Sequence, residues 1–248
     1  KVAAPLAAGN SVIIKQPEQA PLSGLRFAEL SDGLFPPGVI NVITGDAVAG
    51  SALVRHPEVR RIAFIGSVDT GRIIARAAAD AIKEVSLELG GKNPIIIFPD
   101  ADPEEAASFA IKGMNMNRQG QSCSSTSRIF VPEALHDDVI EHLVSNAEKL
   151  SVGLPWDERT EVGPLVSKEQ FERVMGFIES GRDQGAGLLT GGDRPERKEL
   201  NRGFYVEPTV FDAVTPDMRI AKEEIFGPVM SVLTWRDYER MLEEANGM

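Results

Sequence analysis

Short apolar, β-branched runs alternate with amphipathic stretches along this sequence, and that alternation limits the fold more than any other feature. Ser11 to Lys15, Val39 to Ile43, Arg61 to Ile65 and Glu84 to Leu89 read as strands. Between them, Leu22, Leu25, Ala28 and Leu30 recur at helical spacing after Pro21. Thr44-Gly45-Asp46 leads into a helix ending near Arg55-His56-Pro57, and Ile73, Ile74, Ala77, Ala81 and Ile82 mark another. A helix between consecutive strands returns the chain to its starting edge, so the strands run parallel through right-handed crossovers. In such α/β folds nucleotides bind outside the carboxyl ends of the strands.

Gly90-Gly91 interrupts the pattern, which restarts with Asn93 to Phe98; this sets an expected boundary between domains 1–91 and 92–248. The second round reads as a helix from Pro103 to about Asn117, a strand Arg128 to Val131, a helix Glu133 to Leu150 and a helix over 167–185. Gly185 to Asp193 reads as a glycine-rich turn, Gly203 to Phe211 as extended chain at a surface, and Pro228 to Trp235 as the last strand. The chain opens at Lys1 inside a helical pattern and stops just after another, so both ends look cut.

The only cysteine, Cys123, sits in Asn117-Arg118-Gln119-Gly120-Gln121-Ser122-Cys123-Ser124, among small and hydroxyl-bearing residues that leave room for an incoming carbonyl. Alone, such a cysteine is more often a small buried apolar residue than a nucleophile. Glu88 interrupts the apolar strand Val85-Ser86-Leu87-Glu88-Leu89; buried, its charged form would be disfavoured and it would suit a general base. The other reading is a side chain facing solvent. Gly66-Ser67-Val68-Asp69-Thr70-Gly71 hands a strand to a helix, where free N–H groups can hold a pyrophosphate. It is neither Gly-x-Gly-x-x-Gly nor a P-loop, and taken alone it reads more often as a tight strand-to-helix turn. Lys15 and Glu18 follow the first strand and could meet the adenosine ribose, or be two solvated loop charges. Glu223-Glu224-Ile225-Phe226-Gly227-Pro228 could offer a carboxylate to a ribose and a ring edge to a nicotinamide, or form an acidic corner.

Composition removes several classes. With 26 basic and 37 acidic residues, net charge −11, and no basic cluster, the chain repels nucleic acid. One cysteine allows no intrachain disulfide and, with three scattered histidines, no zinc pattern, so no metal is expected. No apolar run approaches the ~20 residues of a membrane span, and no signal peptide is legible. These features read as a cytoplasmic protein.

In their order, these segments resemble the aldehyde dehydrogenase superfamily across all 248 residues. Leu87-Glu88-Leu89-Gly90-Gly91-Lys92 is similar to the family's glutamic-acid signature, Gly120-Gln121-Ser122-Cys123 to its cysteine signature, and Glu223 to Pro228 to its clamp. Phe64-Ile65-Gly66-Ser67 is similar to the pyrophosphate turn, with isoleucine where threonine is common. Glu88 and Cys123 stand 35 residues apart, as in the family. The resemblance implies a parallel-sheet Rossmann-like cofactor domain followed by an α/β catalytic domain. It also implies oxidation of a small-molecule aldehyde to an acid with NAD, NADP remaining open. Cys123 would form a thiohemiacetal and then a thioester, and Glu88 would activate water to hydrolyse it. Lys15 and Glu18 would hold the adenosine ribose, Gly66 and Ser67 the pyrophosphate, and Thr70 the adenine face. Glu224 would hold the nicotinamide ribose and Phe226 the nicotinamide, with Leu89 also counted among the coenzyme residues. Asn117, Arg118, Ser122 and Ser124 would shape the pocket mouth, and the full-length chain would form a homo-oligomer.

The family's Trp-Asn motif, expected ahead of Lys1, and its Pro-Phe-Gly-Gly loop have no match, so the sequence resembles the middle half of such an enzyme. Losing the asparagine's oxyanion hydrogen bond would cost ~10²–10³ in rate. The alternatives are a truncated, non-catalytic relative acting as a nucleotide-binding or structural protein, and a cofactor-free thiol esterase. The clamp residues have no role in either.

Overall fold

A computed structural model describes residues 1–247. The chain divides into two compact units, Lys1–Gly90 and Gly91–Met248. The order in the first is α1 (Ala3–Ala7), β1 (Val12–Lys15), α2 (Leu22–Ser31), β2 (Ile40–Ile43), α3 (Ala47–Arg55), β3 (Arg61–Gly66), α4 (Val68–Ala79) and β4 (Glu84–Leu89). Its strands form two parallel pairs, β1 with β2 and β3 with β4, the latter in a register that sets Ile65 opposite Glu88 and Gly66 opposite Leu89. Local signals start the helices: Asp46 accepts from Val48 N–H at the head of α3, and Ser67 from Thr70 N–H at the head of α4. The expected continuation of α4 through Ala81 and Ile82 does not occur. Asp80 caps the helix, and Ile82, at φ 52°, is left-handed and exposed despite its apolar side chain.

The second unit contains β5 (Pro94–Ile96), α5 (Pro103–Gly113), β6 (Arg128–Pro132), α6 (His136–Glu148), α7 (Lys168–Asp183), β7 (Gly187–Thr190), β8 (Thr209–Asp212), α8 (Arg219–Lys222), β9 (Val229–Trp235) and α9 (Tyr238–Asn246). Its sheet has the order β5-β6-β9-β8-β7, parallel except for β7, which pairs antiparallel with β8. Period-2 alternation sorts the sheet's side chains onto two faces. Ile129, Val131, Val210, Met230 and Val232 pack with Ala107, Ala110, Val139 and Leu143 of α5 and α6. Phe130, Phe211, Val229, Leu233 and Trp235 pack with Phe177, Ile178, Ile220 and Met241 of α7, α8 and α9. Helices on both faces of a largely parallel sheet explain why β6 and β9 read as near-continuous apolar runs. The fold class is α/β.

Two local expectations are corrected here. Gly185 to Asp193 contains the edge strand β7, not only a turn. The segment over 203–211 is not surface chain: Tyr205, Val206, Thr209, Val210 and Phe211 are buried, because β8 lies between β9 and β7. Among the described residues no helix is long and apolar enough to cross a membrane.

Candidate functional site

Cys123 is exposed on the loop between α5 and β6. The loop is built from left-handed residues: Asn115 and Gln119, at φ 55° and 56°, bracket a single 3₁₀ turn over Met116–Arg118, and Gly120 follows at φ 66°. Only glycine fits position 120, since a Cβ there would lie 2.2 Å from the Gly227 carbonyl oxygen. This backbone approach brings the cysteine loop against the Glu223–Pro228 segment. Asn93 Nδ2 donates to Cys123 O at 2.7 Å and Ser125 O at 3.2 Å, while Ser125 Oγ donates to Met114 O at 2.9 Å. The thiol therefore sits on a loop fixed through its backbone, with its side chain open. Asn117 and Arg118 are exposed on the 3₁₀ turn, and the hydroxyls of Ser122 and Ser124 bond to each other at 3.0 Å.

The neighbouring segment is held from α7. Gln170 Nε2 donates to Ile225 O at 3.0 Å and Phe226 O at 2.8 Å, and Arg173 Nη2 to Glu224 O at 2.9 Å. Phe226, at φ 58°, leaves its ring partly exposed. The half-buried Glu224 carboxyl is raised above the usual carboxylate range by burial, against the Gly91 N–H it accepts and the charges of Arg173 and Lys92. Lys92 is 4% exposed, and among the described residues its Nζ has no hydrogen-bond partner. Burial, aided by repulsion from Arg128 and opposed by Glu224, pulls Lys92 down to about 7. Asn93, Gln170, Arg173 and Lys92 escape sequence reading. The positions they brace lie 30 to 56 residues away for Asn93, Gln170 and Arg173, and only the place of Lys92 and Asn93 beside the Gly90-Gly91 break was a signal.

In the first unit, the candidate residues collect at strand carboxyl ends. Lys15 ends β1, and its Nζ lies 3.3 Å from Glu18 Oε2. A backbone hydrogen bond and that lysine lower the Glu18 carboxyl. Gly66 ends β3 beneath the Phe64 ring, which a Cβ would meet at 2.5 Å. Ser67 caps α4, its Oγ accepting from Thr70 N–H at 3.3 Å and donating to Thr70 Oγ1 at 3.0 Å. Leu89 ends β4 and packs on Gly71 in the first turn of α4, where a Cβ would lie 2.6 Å from its side chain. A capped helix start beside two strand ends has the donors a pyrophosphate needs, and Lys15 with Glu18 offers a hydroxyl-binding pair. These groups fit a dinucleotide.

Glu88 does not have the buried setting considered from sequence. Its side chain is 60% exposed and 3.6 Å from Lys1 Nζ. The register explains this: Arg61, Ala63 and Ile65 of β3 and Glu84 and Glu88 of β4 lie on one exposed face, while Ile62, Phe64, Val85 and Leu87 turn the other way.

The chain is 49% identical over 250 residues to an aldehyde dehydrogenase of Talaromyces stipitatus, covering 99% of this chain and 48% of that protein. It is 48% identical to a hydroxyisobutyraldehyde dehydrogenase of Mycolicibacterium austroafricanum, covering 99% and 48%. The NAD+ complex of aldehyde dehydrogenase from Bacillus cereus superposes with a TM-score of 0.93 at 46% identity, covering 99% of this chain and 49% of that one. The chain thus spans about half the length of the curated relatives it matches. Residues 1–248 match the model of the aldehyde dehydrogenase family, and on that match and these identities the chain belongs to the aldehyde dehydrogenase family.

Proposed function

We propose that this chain carries the coenzyme-binding and thiol-bearing core of an NAD-dependent aldehyde dehydrogenase, which oxidises an aldehyde to the carboxylic acid. The observation that carries the reading is the contact of Gly120 with Gly227, which sets the exposed Cys123 loop against the segment bearing Glu224 and Phe226. A nucleophile beside a carboxylate and an aromatic ring is the arrangement a thiol-dependent oxidation with a nicotinamide coenzyme requires. The NAD+ complex of the Bacillus cereus relative supports the choice of coenzyme, as does Glu18, an acid suited to an unphosphorylated ribose hydroxyl.

The unit Lys1–Gly90 takes the coenzyme-binding role and Gly91–Met248 the role of presenting the nucleophile. In the first, Lys15 and Glu18 hold the adenosine ribose, Gly66, Ser67 and the α4 amides hold the pyrophosphate, and Thr70 and Leu89 line the coenzyme. In the second, Glu224 holds the other ribose and Phe226 packs on the nicotinamide. When bound, NAD+ supplies the acceptor for the hydride. The Cys123 sulfur adds to the aldehyde carbon and the oxygen takes a proton, giving a thiohemiacetal. Loss of that proton and of the hydride leaves a thioester. Glu88 takes a proton from water, whose oxygen attacks the thioester carbon; the C–S bond breaks, and the leaving sulfur takes that proton back, releasing the acid and restoring the thiol.

The purified full-length gene product, given NAD+ and a panel of aldehydes, is expected to form NADH. Cys123→Ala should lower that rate by on the order of 10⁴-fold or more. NAD+ binding without turnover on any aldehyde, or undiminished turnover in the variant, would contradict the mechanism.

A further inference from the structure

The cysteine loop closes on a β-turn. Ser125 N–H donates to Ser122 O at 3.0 Å, so Cys123 and Ser124 are its two central residues. Types I and II of such a turn differ in which way the central peptide faces, here the one joining Cys123 to Ser124. Neither residue has a positive φ, which excludes type II, although Asn115 and Gln119 of the same loop do take left-handed φ. The loop tolerates such angles, so sterics alone do not fix the peptide's orientation.

Hydrogen bonds hold it from both edges. Asn93 Nδ2 donates to Cys123 O at 2.7 Å and to Ser125 O at 3.2 Å, while Ser124 N–H donates to Ser122 Oγ at 3.4 Å. The serine contact is long, so Asn93 gives the firmer hold. Asn93 is itself anchored in the sheet: it immediately precedes β5, its carbonyl accepts from Arg128 N–H at 3.3 Å, and Pro94 lies opposite Arg128 in the β5–β6 register.

We propose that Asn93 is a positioning residue for the nucleophile: by donating to the Cys123 carbonyl, its amide locks the turn's central peptide and keeps that carbonyl off the incoming aldehyde. The inference rests on the reading of Cys123 given above. As sulfur attacks, the aldehyde oxygen gains negative charge, and a carbonyl oxygen turned toward it would oppose that charge. A water in place of the Asn93 amide would satisfy the carbonyl without fixing its direction.

The test uses the full-length protein as wild type, Asn93→Ala and Asn93→Asp. Three quantities are measured: single-turnover NADH formation at saturating aldehyde, NAD+ affinity by titration calorimetry, and the rate at which iodoacetamide labels Cys123. Asn93→Ala should lower the single-turnover rate roughly 10²-fold, the scale of a misplaced reacting group, with NAD+ affinity within roughly twofold of wild type. Labelling should not slow, because alkylation needs only an exposed thiol. Asn93→Asp keeps the side chain's shape but sets an acceptor against both carbonyls, so it should lose at least as much; it also serves should the alanine variant fail to fold. An aspartate variant that turns over like wild type would show that residue 93 only fills space. That result, a folded alanine variant with the wild-type rate, or a rate loss matched by an equal loss of NAD+ affinity would overturn the inference and leave the nucleophile reading intact. No NADH from the wild type, or undiminished turnover in Cys123→Ala, would overturn the nucleophile reading and this inference with it.

Discussion

Gly120 concentrates the site's dependence on one missing side chain. Its φ of 66° is left-handed, and a Cβ would stand 2.2 Å from the Gly227 carbonyl oxygen and 2.8 Å from the Met114 side chain. Gly120→Ala should cost about 2 kcal/mol or more, the left-handed penalty of an L-residue plus displacement of backbone. A denaturant melt checks the cost, and faster labelling of Cys123 by a thiol reagent would report the loosened loop. Cys123, Glu224 and Phe226 were legible because each stands in a distinctive run of sequence. Lys92 was not: it stands beside the Gly90-Gly91 break with no pattern of its own that marks burial. Its side chain is buried, and Arg128, 36 residues on, donates to its carbonyl. Glu88 shows the reverse, since a carboxylate within an apolar strand left both settings open until the β3–β4 register set it on the exposed face.

At the scale of elements, His136 ties the start of α6 to the end of β8 through Nε2 and Asp212 Oδ1 at 3.0 Å, and its Nδ1 lies 2.8 Å from Asp137 Oδ1. Burial opposes the charged ring, but the bonds to the two aspartates outweigh it and raise the histidine above its ordinary value. A group raised on folding stabilises the fold fully below its unfolded value of about 6.5 and loses that contribution as pH rises through the higher folded value. His136→Gln should therefore cost more at pH 5.5 than at pH 8.5, by about 1 kcal/mol, with Asp137 adding little because it is fully exposed. Urea melts at the two pH values measure the difference, and equal costs would contradict it. The parallel strands β6 and β9 were readable as apolar runs, and α3, α4, α5, α7 and α9 carry local caps. β7 was read only as a turn because glycines flank it, and the extended chain leading into β8 was placed at a surface although it is buried. Their strand character comes from pairing with each other and with β9, which no local pattern encodes.

For the molecule as a whole, the strand–helix alternation was enough to read an α/β protein. The core was less legible. Among the described residues, the buried apolar set of Lys1–Gly90 consists of Ile74 and Ala78, while the two large clusters lie wholly in Gly91–Met248. Similar apolar patterns in the two units thus give different burial, which depends on what packs over each face. In the proposed chemistry, oxidation would pass through sulfur at residue 123, and the carboxylate at residue 88 would release the product. The most direct test is the intact mass of a Glu88→Gln protein quenched during reaction with NAD+ and an aldehyde. Expected is a species heavier by the aldehyde less two hydrogens, mapped to Cys123 by peptide sequencing and absent from Cys123→Ala. Full turnover by Glu88→Gln without any adduct, or the same adduct in the protein lacking Cys123, would contradict it.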